Sequence, residues 1–421
     1  MCAGGFRYQA AMTPLRILIT NITLATRTGT ETYVRDLAVG LLRRGHQPIV
    51  YSPELGDIAR EMETATVPVV NDLRHVGFVP DVIHGHHHAE TLTALLHFPG
   101  VPAVGFCHDW GSFWDTPVRH PRVRRYVAVD DTCRDRLIAR HGIPERQVRV
   151  ILNAVDLRQF PARDPLPRQP KRALVFSNLA GEHNYLAEVR AACVSAGITL
   201  DVIGQGVGTC HARPGDMLGQ YDVVFAKARC ALEAMAVGAA VILCDIGGVG
   251  GLVSTENFGQ LRRLNFGRRT LCEPVRVEIL TRELARYNAV RAEAISRRVR
   301  EEASLQIAID ELLDLYGEVI AEQKQCGQAE SIAEGRAAAE SMRWLTPHIR
   351  DIRALLAAHG DLTSEKDLLR QENAMLRAER ELVHQQLGDV HRSTTMRLTR
   401  RLRSLPLVPR LLRLAGRGMV K

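Results

Sequence analysis

A chain of 421 residues is too long for one ordinary hydrophobic core and divides into at least two globular domains with an appendage. Its 46% apolar and 24% charged residues fit a soluble globular protein, and no uncharged apolar run reaches the ~18 residues of a membrane span. The formal net charge of +8 is uneven: the last 31 residues hold nine Lys and Arg and no acid, leaving −1 for the other 390. An anionic partner is therefore expected for the tail and not for the whole surface.

The opening "MCAGGFRYQAAMTPLRILIT" lacks the basic, apolar and small-residue sections of a signal peptide. Nine cysteines are scattered singly, without a Cys-x-x-Cys, as in a reduced cytosolic protein. "LRILIT" (15–20) predicts a strand, and residues 31–44 a helix with Val34, Leu37, Leu41 and Leu42 on one face. "QPIVYS", "PDVIHG", "VPAVGF" and "RYVAVD" continue as short β-branched runs separated by helix or loop, the pattern of a parallel sheet wrapped by helices. After "VRVILNAVDLRQF" (148–160) the stretch "PARDPLPRQPKR" breaks both periodicities, which sets a domain boundary at 160/161. A second alternating series follows: "RALVFSN", a helix near 183–196, "TLDVIGQGVG", "YDVVFA", a helix from about 229, and "AAVILCD". Residues 276–325 are helical in pattern and are expected to close this second domain. From 326 to 390 Leu362, Leu369, Leu376, Val383 and Val390 recur every seven residues, with Lys366, Asn373, Arg380 and Leu387 at the companion positions. This is either a short coiled coil or a solvated surface helix. Residues 391–421 form the basic amphipathic tail.

Several residues could carry chemistry. In "TRTGTETYVRDL", Gly29 lies between a strand and a helix, with Thr28 and Glu31 spaced as a capping box; a glycine lets backbone approach a ligand, and a helix start offers N–H groups to an anion. A tight turn with nothing bound would look the same. In "RCALEAMAVGAAVILCDIGG", Glu233 is a lone carboxylate on an apolar helix, paired either with Arg229 one turn earlier or with a ligand. The glycines of "DIGGVGG" (245–251) follow a strand, where open α/β sheets bind ligands. "HGHHH" (84–88) invites a zinc assignment, but it lacks a companion carboxylate or cysteine cluster, and no Asp-x-Asp follows a strand, so no metal is expected.

The ordered segments "TGTETYVRDLAVGLLRRGHQPIVYS", "PDVIHGH", "GFCHDW", "NAVDLRQF" and "EAMAVGAAVI" resemble glycosyltransferases of the GT-B fold, specifically the retaining family 4, over about residues 14–320. The resemblance implies an α/β protein with two Rossmann-like domains facing a cleft, residues 1–160 taking the acceptor and 161–325 a nucleotide diphosphate-sugar donor, followed by the helical extension. It implies that Glu233 accepts hydrogen bonds from the donor's ribose diol, a pairing of two carboxylate oxygens with two O–H groups, and that His108, beside Asp109, lines the reacting region. It also implies no cofactor. Two departures stand out. The family's second glutamate, eight residues before Glu233, is Phe225 here, and the cations usually found after the first strand of the donor domain are missing from "VFSNLAGEHNY". Lys227 and Arg229, with Gly247, Gly248, Gly250 and Gly251, are the replacements expected at the diphosphate.

The tail interleaves nine cations with leucines and is broken by Pro406 and Pro409. It reads as an interfacial segment for an anionic membrane surface and not, lacking aromatics, for nucleic acid. The expected protein is thus a hexosyltransferase-type enzyme of surface polysaccharide biosynthesis, cytoplasmic or peripheral on the inner membrane face, with a glycan or lipid-linked acceptor and a coiled-coil oligomer or partner. A silent GT-B scaffold and a sugar-nucleotide epimerase are the alternatives.

Overall fold

The structure, a computed structural model, describes residues 13–209, 211, 213–326, 331–392 and 394–404. Seven parallel strands form the first sheet in the order β3-β2-β1-β4-β5-β6-β7: β1 (Arg16–Thr20), β2 (Gln47–Tyr51), β3 (Val69–Val70), β4 (Val82–Gly85), β5 (Ala103–Cys107), β6 (Val123–Ala128) and β7 (Val148–Val150). The helices α1 (Gly29–Arg43), α2 (Asp57–Thr64), α3 (His88–His97) and α4 (Asp131–Asp135) run between them. Successive β1 side chains show why the strands are apolar on both faces: Ile17 and Ile19 enter one core, Leu18 the other. A sheet covered by helices on both sides leaves no wet face to mark with polar alternation.

The second sheet is β12-β11-β10-β8-β9, from β8 (Arg172–Phe176), β9 (Thr199–Ile203), β10 (Val223–Ala226), β11 (Ala240–Asp245) and β12 (Gly248–Leu252). It is parallel except for β12, which returns antiparallel along β11. Six helices, α5 (Leu186–Ser195), α6 (Gly215–Leu218), α7 (Ala228–Val237), α8 (Phe258–Arg263), α9 (Val277–Ala285) and α10 (Ala289–Glu302), belong to this lobe. Phe225 is wholly buried in β10. The strand reaches Ala226 and α7 begins at Ala228, so a single residue separates them; the position at which the family resemblance placed a sugar-binding glutamate is a core position.

The crossings between lobes differ from expectation. Val155 and Phe160 are already buried in the second lobe's core, and residues 276–325 do not all close that lobe. Helix α11 (Leu305–Cys326) returns to the first, where Leu305, Ile309, Leu312, Tyr316 and Val319 join the α1 side of the core. Gly40 of α1 leaves the room that Ile309 fills, and each large apolar side chain so buried contributes about 1.5–3 kcal/mol. The periodicity showed that the helix had a buried face but not which lobe would cover it. The outgoing and returning crossings meet side by side, with Val155 N–H donating to Ala303 O at 2.9 Å and Leu305 N–H to Val155 O at 2.9 Å.

The chain separates into two compact units, up to Ser341 and from Met342. The first holds both lobes and the start of α12 (Ser331–Arg392), where Glu334 pairs with the buried Arg122 at 2.9 Å. The second consists of the rest of α12 and α13 (Thr394–Ser404). Within it Leu362, Leu369, Leu376, Val383 and Leu387 are all exposed. Residues 405–421, most of the predicted tail, lie outside the described residues, as does the side chain of Val390. No described helix is long and apolar enough to cross a membrane.

Candidate active site between the lobes

Two helix N-termini, one from each lobe, border the cleft. At α1 the predicted capping box does not form. Thr28 occupies the N-cap, yet its side chain caps no backbone group; its Oγ1 donates to Glu31 Oε2, joined there by Thr30 Oγ1 at 3.1 Å and at Oε1 by Thr26 Oγ1 at 3.3 Å. Glu31 is 2% exposed, and a carboxylate so buried requires donors. The hydroxyls thus serve the carboxylate, and the start of α1 has no side-chain cap where Thr28, Gly29 and Thr30 line a cavity of about 370 Å³. A Cβ on Gly29 would meet nothing within 4 Å.

On the facing wall α7 starts from a left-handed Ala228 (φ 49°), whose N–H donates to Phe266 O at 2.9 Å. Arg229 then points between the lobes. Its Nε donates to Glu233 Oε1 at 2.7 Å and its Nη2 to Asp36 Oδ2 of α1, while Gln159 Nε2 donates to Asp36 Oδ1 at 3.0 Å. The helical pair anticipated as the alternative for Glu233 is therefore formed, as one arm of a three-residue bridge across the cleft. Burial pushes the Asp36 carboxyl up, but Arg229 and Arg35 outweigh it and hold the group below its ordinary value. For Glu233 burial prevails over the attraction of Arg229, and its carboxyl sits above the usual range. The guanidinium thus favours Asp36, and Glu233 is the less compensated of the two anions.

Glu233 also borders open space. It lines a second cavity of about 140 Å³ with Phe176, Asn178, Ile203, Pro214 and Phe160. Both cavities share Thr28, Gly29 and Arg229, so they meet around the bridge.

His108 and Asp109 follow β5 and line the larger cavity. His108 is half-buried, its Nε2 2.8 Å from His86 Nδ1, with Tyr33 edge-on at a ring separation of 4.9 Å. Burial pulls it down to about 3, so it is neutral at physiological pH and can only donate or accept. Asp109 spends Oδ1 on the N–H groups of Gly111 (2.6 Å) and Ser112 (2.5 Å), which folds its own loop. Asp115, which no sequence pattern marks, lines the same cavity. Its Oδ2 accepts from the N–H of His108 at 2.7 Å and of Asp109 at 2.6 Å, and burial raises it to about 6 against those bonds.

The remaining predicted residues do not reach the two cavities. Lys227 pairs with the buried Asp245 at 2.5 Å. Gly248 has φ 135°, and a Cβ there would lie 2.6 Å from Glu273 O; one on Gly250 would lie 2.5 Å from Thr270 O. Val249 exchanges backbone bonds with Glu273 at 2.7 and 3.0 Å. These two glycines let the 270–273 segment press against β12, while the half-buried Gly251 (φ 79°) faces the Glu283 carboxylate and Gly247 is exposed, and none of the four lines either cavity. The histidines of "HGHHH" divide: His84 is a core residue that stacks on Phe106 at 3.9 Å and bonds Tyr316, whereas His87 lines the larger cavity. Among the described residues no group of three metal-ligating side chains converges.

Of the residues missed, Asp36 carried a signal, since it interrupts an apolar helix face between Val34 and Leu37 just as Glu233 does. Asp115 carried none, and His87 stood out only as one of the "HGHHH" histidines, weighed for zinc and not for a hydroxyl.

Two Rossmann-like lobes closing on one cleft define the GT-B class of fold. Solved structures of this architecture align over most of the chain: a glycosyltransferase from Rickettsia africae at 14% identity, covering 73% of this chain and 99% of that one with a TM-score of 0.53, and Anabaena HepE in complex with UDP and glucose at 15%, 72% and 99% with 0.51. Glycosyltransferase Family 4 matches residues 27–159, which include α1, His108 and all but the last residue of the "NAVDLRQF" stretch. No curated protein matches the chain. The chain accordingly has the GT-B fold, and a segment of its first lobe is similar to Glycosyltransferase Family 4.

Proposed function

We propose that the cleft transfers a sugar from a nucleoside diphosphate donor to a growing glycan or lipid-linked acceptor. The observation that carries this reading is Glu233, buried and incompletely neutralised beside an apolar-walled cavity at the lobe interface. Phe176, Ile203 and Pro214 suit a nucleobase, and the carboxylate suits the vicinal diol of the attached ribose. The diphosphate would then fall at Arg229 and the uncapped start of α1, where positive charge and helix dipole favour an anion whose charge grows as the bond to the anomeric carbon breaks. The new bond joins that carbon to an acceptor oxygen in the larger cavity, and closure of the lobes excludes water. Retention of configuration rests on the family 4 resemblance. Lys227, Gly248 and Gly250 are left in supporting roles, because Asp245 and the 270–273 segment already occupy them, and Gly247 and Gly251 line neither cavity.

The structure of Anabaena HepE holds UDP, which makes UDP the first nucleotide to test. Calorimetric titration with UDP, GDP, ADP and TDP should find one that binds, and Glu233→Gln, which keeps the shape and removes the ionised acceptor, should weaken it about 10- to 100-fold. Wild-type protein that binds none of the four and releases no sugar would return the chain to the scaffold reading.

Two further elements of the proposal concern the C-terminal unit. The exposed row Leu362, Leu369, Leu376 and Val383 fits a coiled-coil contact with a second copy or a partner, and the cations of residues 391–421 fit an anionic leaflet at up to about 1 kcal/mol each. Removing residues 391–421 should release the protein from anionic vesicles in a sedimentation assay.

A further inference from the structure

On the first lobe's wall, among the described residues, Asp115 Oδ1 is buried without a hydrogen-bond partner, in a residue only 4% exposed that lines the 370 Å³ cavity. Its sister Oδ2 accepts two backbone N–H groups, so the carboxylate cannot turn away without losing both. Opposite stands His87 Nε2 at 3.9 Å, too far for a hydrogen bond. His87 lines the same cavity and is held at φ 63° and ψ 151°, a conformation that costs a non-glycine residue of order 1–3 kcal/mol. Its Nδ1 accepts from Ile22 N–H at 3.2 Å, which leaves the proton of a neutral ring on Nε2, and burial brings the ring down to about 4.

The arrangement is an acceptor and a donor fixed on either side of a gap. An oxygen about 2.8 Å from each would see them at about 90°, an angle at which one hydroxyl can donate to Asp115 Oδ1 while accepting from His87 Nε2–H. We propose that Asp115 and His87 form a grip for a single saccharide hydroxyl in the cleft, and that this grip selects sugars carrying a hydroxyl at that place. A group able to both donate and accept is what the pair requires. A buried acceptor left unmatched is costly, so an analogue lacking the hydroxyl is rejected. The inference rests on the glycosyltransferase reading, and the hydroxyl belongs either to the transferred sugar or to the acceptor.

Two variants of the full chain test it. Asp115→Asn can keep the two backbone bonds through its amide oxygen while placing N–H donors where the free oxygen was. His87→Asn keeps a polar side chain on a backbone already strained for any side chain (φ 63°, ψ 151°) but is too short to reach. Affinities for UDP and UDP-glucose, and saturation-transfer NMR with methyl hexosides and their monodeoxy analogues, are measured for wild type and both variants. Both variants should hold UDP as wild type does. If the hydroxyl is the donor's, UDP-glucose weakens about 10- to 100-fold; if it is the acceptor's, the methyl hexoside signal falls instead. In either arm one monodeoxy sugar should bind wild type as poorly as the full sugar binds the variants. Variants that keep both affinities within twofold, or that lose UDP as much as UDP-glucose, overturn the grip. Should wild type bind no nucleotide, the donor reading fails while the hexoside arm still decides the grip.

Discussion

The two walls of the cleft solve the problem of buried polarity in opposite ways. The second lobe's wall is ionic: Arg229 is shared between Glu233 on its own helix and Asp36 on the other lobe, so its charges are committed to one another and a ligand must compete for them. The first lobe's wall is made of neutral imidazoles, His87 and His108 pulled down to about 4 and 3 by burial, and of one carboxylate with a spare oxygen. Nothing there need be displaced. An anionic ligand thus meets a charged wall that can exchange partners, whereas hydroxyl groups meet a wall prepared in advance.

The largest effect expected from breaking this contrast is at Asp36. Asp36→Ala removes the interlobe anion that Arg229 favours, and loss of one member of a buried ionic group costs about 3–5 kcal/mol; the retained bond to Glu233 should bring the loss to the lower end, read from denaturant unfolding. Next is Gly248→Ala, which forces a Cβ against Glu273 O with φ at 135°. It should destabilise by about 1–3 kcal/mol without a matching loss of nucleotide affinity; an affinity loss at unchanged stability would instead restore this glycine to the diphosphate.

The pH response should sharpen the comparison. Asp115 is raised to about 6, above its unfolded value, so its contribution to stability is fully present below about pH 4 and is lost as pH rises through 6. Its use as a hydroxyl acceptor requires the ionised form and runs the other way. Turnover should therefore have an acid limb near pH 6 even though this group's share of stability grows on acidification, and Asp115→Asn should flatten the limb. The facing imidazoles leave the window clear, since burial makes His87 and His108 titrate lower; the other charged groups beside Asp115 are Arg136 and Asp109. The smallest effect concerns the C-terminal unit, where Leu369→Asp with Leu376→Asp should lower the solution mass if the heptad row pairs copies of the chain, leaving donor affinity as it was.

Much of the architecture was legible in the chain. Paired runs of β-branched residues separated by helical periods marked two parallel sheets, because strands buried on both faces must be apolar throughout. Glu233 was legible for the complementary reason, as a charge on a helix that otherwise reads as core. Glycine patterns were less informative. Gly29 does border the cleft, but Gly248 and Gly250 accommodate a neighbouring backbone, and a glycine needed for packing has the same letter as one needed for a ligand.

By itself the sequence determined the sheet-and-helix rhythm, the lone carboxylate of α7 and the confinement of basic charge to the last 31 residues, since all three follow from local patterning along the chain. Only the tertiary structure decided that α11 would cross back to the first lobe, that Asp36 and Arg229, 193 positions apart, would meet across the cleft, and that Asp115 would keep one oxygen free opposite His87. Those outcomes depend on which distant side chains share a buried volume, and no short-range period encodes that.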